Sequence, residues 1–242
     1  MRHWRYSPEA DLDRTFFERL RGFHRRPEMS VHLLRSLASL FLRGWLKLYH
    51  RLEVAGRENL PARGSYVLVA NHASHLDALC LLSAVPLHKV QRAFPAAAKD
   101  YFFSHLPATA ASAIFLNALP FDRKADSSGS LDACRRLLAH PGNVLILFPE
   151  GTRSSSGELG RFRSGIGRLL AGTDIPVLPC YLDGASKAWP KGRLLPFPRK
   201  LRLTLGPPRS YPETATDREG CQSVAADLQA AVQRLASIRL RR

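Results

Sequence analysis

Two short stretches of this chain hold residue types that could do chemistry. The first is Asn71-His72-Ala73-Ser74-His75-Leu76-Asp77. Histidine is the usual base near neutral pH, because an unperturbed imidazole titrates at about 6.5. Transfer of an acyl group to a hydroxyl needs that hydroxyl's proton removed as the oxygen attacks the carbonyl, and a positioned base accelerates such a step roughly 10²–10⁴-fold. A carboxylate that holds one imidazole tautomer completes the arrangement, and Asp77 could supply it. Five residues along a regular helix is about 140° of rotation, so His72 and Asp77 would not meet if both were helical. They can meet if His72 lies in a loop and Asp77 in the first turn of the helix that follows. Ser74-x-x-Asp77 reads as a capping box with Ser74 as N-cap, which allows that placement and also offers Asp77 a purely structural job. His75 is a rival base, disfavoured by its place inside the first turn.

The second stretch is Phe148-Pro149-Glu150-Gly151-Thr152-Arg153-Ser154. Gly151 lets a backbone approach a ligand, Thr152 and Ser154 bring hydroxyls, and Arg153 brings a planar fork suited to phosphate. Glu150 repels phosphate and fits better as an orienter of an arginine or a partner for a substrate hydroxyl. The competing reading is a surface loop with incidental charges. Arg123, in Leu119-Pro120-Phe121-Asp122-Arg123, could be a second phosphate ligand, and Lys99 a third basic group, although either alone is more often a solvated charge. There is no G-x-S-x-G elbow, Walker loop or H-E-x-x-H, and Gly165-Ile166-Gly167 is too short for a dinucleotide fingerprint. A covalent serine mechanism therefore lacks its signature, and direct attack by an acceptor hydroxyl is the simpler scheme.

The elements that must position these residues follow from the hydrophobic pattern. Tyr66 to Ala70 is an apolar run that leads into the first stretch, and residues 75–85 continue it as a helix ending near Pro86. Val144 to Phe148 is the clearest buried strand and carries the second stretch at its carboxyl end, where α/β sheets bind ligands. Further strands are expected at Leu52–Gly56, Val90–Ala98, Asn117–Phe121, Ile175–Tyr181 and Leu201–Leu205. Helices are expected at 128–139, at 165–171 and at about 216–240, with short, mostly helical pieces over 100–117. Alternation of this kind predicts an α/β fold, a mixed and mostly parallel sheet flanked by helices.

Ahead of it, residues 29–52 read as one amphipathic helix with Val31, Leu34, Ala38, Phe41, Trp45, Leu48 and Leu52 on a stripe. It could lie on a membrane, with its basic residues on headgroups, or pack on the domain's own core. Leu33, Leu37, Leu40, Leu42 and Leu46 widen the stripe enough for both. Residues 1–28 are charge-dense, with a short helix from Ser7-Pro8-Glu9 to about Phe23. The division expected is an N-terminal helical, membrane-interfacial segment, 1–51, and an α/β domain, 52–242. The length suits one such domain. No secretory h-region follows Met1, and no run of 18 apolar residues predicts a spanning helix.

The formal charge of +16 points to anionic partners: nucleic acid, an anionic lipid surface or phosphorylated substrates. Aromatic residues are not interleaved with basic ones as a stacking platform, which argues against nucleic acid. The four cysteines, Cys80, Cys134, Cys180 and Cys221, form no C-x-x-C and no metal-ligand spacing, so reduced buried thiols in a cytosolic compartment are expected.

Asn71-His72-x-x-x-x-Asp77 followed by Phe148–Ser154 resembles the glycerolipid acyltransferases, specifically their 1-acylglycerol-3-phosphate acyltransferase branch. Phe121-Asp122-Arg123 and Ile175-Pro176-Val177-Leu178-Pro179 look like two further blocks of the same family, in the same order, over roughly residues 52–206. Leu119-Pro120 departs from the apolar strand residues usual at the Arg123 block, and residues 1–28 fall outside the resemblance. The resemblance implies that His72 is the base and Asp77 its partner, and that Arg123, Glu150, Gly151 and Arg153 bind a glycerol-phosphate acceptor. Asn71, Lys99 and Thr152 are counted with them as substrate-binding candidates. It also implies a thioester donor, acyl-CoA or acyl carrier protein, with no metal or other cofactor. Work at the cytoplasmic face of the membrane is implied too, as a peripheral or monotopic protein. The function expected is acylation of a lysophospholipid, most simply 1-acylglycerol-3-phosphate to phosphatidic acid. The alternatives are a lyso-lipid without phosphate, such as a lyso-aminolipid, and a non-catalytic basic module binding membrane or nucleic acid.

Overall fold

The computed structural model describes residues 29–98, 119–121, 128–154, 156–190, 192–193 and 195–239. Lys99, Arg123, the helix expected near Ser7–Phe23 and the pieces expected over 100–117 lie outside these residues. The sheet is built from β1 (Glu53–Ala55), β2 (Tyr66–Ala70), β3 (Ala93–Ala98), β4 (Leu119–Phe121), β5 (Val144–Leu147), β6 (Thr173–Asp183), β7 (Arg202–Leu205) and β8 (Arg209–Tyr211). Its order is β1-β7-β6-β2-β5-β3-β4, with β8 also on β6. From β6 to β4 neighbouring strands are parallel, whereas β7 and β8 run antiparallel to β6. The mixed, mostly parallel sheet expected from the pattern is the one found.

All five residues of β2 are buried, as a central strand covered on both faces requires. Their alternation divides the core. Tyr66, Leu68 and Ala70 point with Ile146 and Leu178 into one layer, beneath α1 (Met29–Leu48) and α2 (Leu76–Ala84). Val67 and Val69 point with Leu145 into the other, beneath α3 (Ser128–Ala139), α4 (Gly165–Leu170) and α6 (Arg218–Arg239). A short helix, α5 (Ala185–Ala188), follows β6.

Several boundaries depart from the sequence pattern. The first helix stops at Leu48 rather than 52, and Arg51 takes a left-handed conformation (φ 50°) as the chain turns into β1. Val90 to Arg92 belong to a 3₁₀ turn, Leu87–Arg92, and β3 starts only at Ala93. β6 is longer than expected because it pairs with β8 through its first half and β7 through its second. Its two prolines cannot donate to a ladder, but Pro179 still accepts from Gly206 N–H at 2.8 Å. β8, α5 and a 3₁₀ turn at Arg57–Asn59 were not expected.

α1 docks on the core through Arg35, Ser39 and Leu46, which are buried, and Arg43 donates from Nη2 to the carbonyl of Val85 at the end of α2. Of the expected stripe, Leu34, Phe41 and Leu48 face away from the core, Phe41 at 77% and Leu48 at 81% exposure. No helix among the described residues is long and apolar enough to cross a membrane. The four cysteines are free and buried.

Candidate active site

β2 and β5 are parallel neighbours, so Asn71–His72 and Phe148–Glu150 leave the sheet side by side at its carboxyl edge. β3 and β4 end on the same edge, at Ala98 and Phe121. Asn71 extends the β2–β6 ladder with its side chain. Its amide donates to the Leu182 carbonyl (2.9 Å) and accepts from Leu182 N–H (2.8 Å), in a buried position. Both ends of its amide serve Leu182, and the residue fixes where β2 stops and the loop begins.

His72 lies in that loop and Asp77 in the first turn of α2. His72 Nδ1 donates to Asp77 Oδ2 at 2.9 Å, and the carboxylate is completely buried. The same oxygen accepts from the N–H groups of Ala73 (2.6 Å) and Ser74 (2.8 Å). Three donors on one carboxylate oxygen fix the loop around the histidine. The N-cap is His75 rather than Ser74, and only half of the expected capping box forms. Asp77 reaches back to Ser74 N–H, but Ser74 Oγ instead accepts from Leu76 N–H (3.3 Å) and donates to the Trp189 carbonyl (3.0 Å).

The proton on Nδ1 leaves the lone pair on Nε2, in a ring that keeps 18% exposure. Phe148 stacks on this ring at 4.2 Å and 18° between planes. Its apolar face confines the imidazole without competing for a nitrogen. Ser154 N–H donates to the His72 carbonyl at 2.7 Å and brings the second stretch onto the first.

Glu150 completes that junction. Its two oxygens accept from His72 N–H (2.7 Å) and Gly160 N–H (3.0 Å). Burial pushes its carboxyl above the usual range, against these two hydrogen bonds. These two bonds give Glu150 a positioning job between two loops. Gly151 has φ 77°, and a side chain there would run into the Arg163 guanidinium, 2.6 Å from the position of a Cβ. Thr152 is exposed and its hydroxyl bonds to the neighbouring Arg153 carbonyl.

Arg153 Nη1 donates to His75 Nε2 at 2.6 Å. Burial, and then the Arg153 charge beside it, hold His75 down to about 4. His75 is consequently neutral around pH 7 and serves as an acceptor that aims Arg153, not as a rival base. Trp189 leans on its ring at 5.4 Å.

His72, Asp77, Glu150, Gly151, Thr152 and Arg153 come together at one edge, as the two stretches suggest. Phe148 and Trp189 join them without having been singled out, and His75, the rival base of the first stretch, instead accepts from Arg153. Phe148 lies inside the second stretch. Trp189, more than a hundred residues beyond His72, carries no local signal. The arrangement holds a base on a carboxylate beside an aimed guanidinium, which is the equipment for taking a proton from a hydroxyl whose molecule carries an anionic group.

A family model described as acyltransferase matches residues 51–183. The chain is 33% identical over 147 residues to a chloroplastic 1-acyl-sn-glycerol-3-phosphate acyltransferase of Brassica napus, covering 60% of this chain and 40% of that one. It is 30% identical over 168 residues to 1-acyl-sn-glycerol-3-phosphate acyltransferase alpha of Mus musculus, covering 66% and 55%. The chain thus spans about half the length of such relatives. The crystal structure of the 1-acyl-sn-glycerophosphate (LPA) acyltransferase PlsC from Thermotoga maritima superposes with a TM-score of 0.64 at 25% identity, over 90% of this chain and 87% of that one.

Proposed function

The chain belongs to the acyltransferase family, and on that premise we propose that it acylates the free hydroxyl of a lysophospholipid, 1-acylglycerol-3-phosphate first among acceptors, from a thioester donor. The observation that carries the reading is the His72–Asp77 pair with Nε2 open, set beside Arg153. His72 Nε2 takes the hydroxyl proton as the oxygen attacks the thioester carbonyl. The tetrahedral intermediate then collapses with cleavage of the C–S bond, and the imidazolium returns the proton to the departing thiolate. An ester and a free thiol result. Asp77 holds the tautomer and stabilises the imidazolium. Arg153 grips the acceptor phosphate and so places its hydroxyl, which supplies proximity.

Lys99, just after β3, and Arg123, two residues after β4, are proposed as further basic groups toward the same phosphate, since both strands end on the site's edge. The donor is proposed as acyl-CoA or acyl carrier protein. The outward apolar face of α1, on a chain of charge +16, supports peripheral work on an anionic membrane surface.

A thiol-release assay tests this, crossing both donors with a panel of lysolipids and using His72→Ala as control. Thiol release that depends on a lysophospholipid and disappears in His72→Ala is expected. Near-wild-type turnover by a folded His72→Ala protein would refute the mechanism. Arg153→Ala decides the acceptor class. Loss of a charged hydrogen bond of about 1.5–3 kcal/mol raises KM roughly ten- to hundredfold for a phosphate acceptor. An unchanged KM would point to a head group without phosphate.

A further inference from the structure

The chain between α5 and β7 is not used by the chemistry above, yet it presents apolar side chains to solvent. Leu195 is 73% and Phe197 43% exposed. Between Gly184 and Leu201 the sequence carries Lys187, Lys191, Arg193, Arg199 and Lys200 and no acidic residue. The Arg193 guanidinium sits over the Phe197 ring at 5.0 Å. Lys200 is paired with Glu53 at 2.5 Å, and the segment itself adds only cations to its apolar tips, a combination that suits the headgroup region of an anionic bilayer.

This loop is continuous with the outward face of α1. Tyr49 OH donates to the Pro196 carbonyl at 3.0 Å, and Leu201 N–H donates to the His50 carbonyl at 3.1 Å. Leu48, the last residue of α1 and one of its most exposed, therefore neighbours the loop in the chain segment that is bonded to it. At its other end the loop is tied to the active site. Phe197 N–H donates to the Ala188 carbonyl (2.7 Å), and Trp189 Nε1 donates to the Arg193 carbonyl (2.8 Å). The Trp189 carbonyl accepts from Ser74, whose own N–H is held by Asp77.

We propose that Leu195 and Phe197, with Arg193 and Arg199, form a second lipid-contact element that sets the two apolar side chains into the headgroup region of an anionic bilayer beside α1. Trp189 joins that contact to the loop that carries His72. The proposal rests on the reading of the acceptor as a membrane lipid. It adds that the protein touches the bilayer at two places, so that the mouth beside His72 and Arg153 faces the surface where a lysolipid lies. One helix lying on a surface can roll about its axis; a second contact beside its end removes that freedom.

The test uses the full chain carrying Leu195→Cys, labelled with an environment-sensitive fluorophore. The four native cysteines are buried and should not compete for a surface-directed reagent. On adding vesicles of phosphatidylcholine and phosphatidylglycerol, the label's emission should shift to the blue, and lipids carrying a quencher near the headgroup should quench it. A label that stays in a water-like environment while the protein sediments with the vesicles would overturn the proposal. So would a blue shift that follows protein concentration without lipid, which would assign the patch to a second copy of the chain. In the double variant Leu195→Asp/Phe197→Asp, vesicle partitioning should fall about ten- to hundredfold, from the loss of two apolar side chains. Turnover of a short-chain, monomerically soluble acceptor should be unchanged, and unchanged partitioning would again overturn the proposal. If the wild type releases no thiol from any donor yet the label enters lipid, the acylation reading falls and the contact stands. If turnover is normal and the label stays wet, the contact alone falls.

Discussion

Asp77→Asn tests the site most sharply. The carboxylate oxygen Oδ2 collects three donors at 2.6–2.9 Å in a fully buried place. An amide oxygen can replace it sterically, so the variant should fold. Each bond loses its charge assistance, roughly 1 kcal/mol apiece, so about 2–3 kcal/mol of stability is expected to go. For a chain of this size that is a fall in Tm of about 4–12 °C. The catalytic loss should be larger. With the amide oxygen held by the Ala73 and Ser74 N–H groups, His72 Nδ1 keeps only a neutral acceptor, and no negative charge remains to stabilise the imidazolium. A drop in kcat of about 10²–10⁴-fold follows, or roughly 3–5.5 kcal/mol of barrier. The assay is thiol release at saturating acceptor, below the variant's melting range, with KM measured separately. The double variant His72→Ala/Asp77→Asn gives the decisive comparison. If Asp77 acts through His72, the double variant is no slower than His72→Ala alone. Losses that multiply across the two sites, or an Asp77→Asn protein within about threefold of wild-type kcat, would refute the reasoning.

Other residues give separate expectations. Asn71→Ala leaves the N–H and carbonyl of Leu182 unpaired in a buried place, so it should cost about 2–4 kcal/mol of stability in denaturant melts, with acceptor KM in the surviving folded fraction near normal. Gly167→Ala would drive a methyl into the Cys221 carbonyl, 1.9 Å from the Cβ position, where α4 meets α6, while Gly165→Ala in the same helix meets nothing within 4 Å. The first should lower Tm steeply, and the second should leave it level or raise it by up to about 2–4 °C, the equivalent of about 1 kcal/mol of helix propensity. His50 is buried with Nε2 unpartnered, and burial depresses its pKa. The unfolded chain then takes the proton first, so stability is full above about 6.5 and declines as pH falls through that value. Thermal melts between pH 7 and 5 should show a shallower decline for His50→Phe than for wild type.

Local pattern and long-range pairing contributed differently to what could be read from the residues. The buried run Tyr66–Ala70 and the Ser74-x-x-Asp77 spacing put His72 outside a helix and Asp77 inside its first turn, and the pair does meet there. The details of the cap were lost because Ser74 has a competing partner, the Trp189 carbonyl, 115 residues away. The same distance problem hid the purposes of Asn71, Glu150 and His75. Each has a polar side chain whose partner comes from another part of the chain: Leu182, His72 and Arg153. A residue type in a motif says that a polar atom is needed. Only the fold says whether that atom faces a ligand or a neighbouring backbone.

α1 shows the complementary limit. Its sequence is apolar over most of its circumference, so the period of 3.6 marks a stripe without saying which way the stripe faces. Leu34, Phe41 and Leu48 lie one heptad apart, and on hydrophobicity alone they would be placed inward. They face outward because the inner side is specified by hydrogen bonding as well as by Leu46. Arg43 caps the carbonyl of Val85 at the end of α2, and Ser36 accepts from Gln91 of the following 3₁₀ turn. Such bonds have one geometry, whereas leucines can pack on almost any apolar surface. The polar residues therefore decide the helix's rotation, and the leucines that remain outside become available to lipid. Arg43→Leu should on this argument loosen the orientation of α1 without making it less apolar. Faster amide hydrogen exchange over Met29–Leu48 at unchanged overall Tm would show it, and unaltered exchange would mean that apolar packing alone sets the helix.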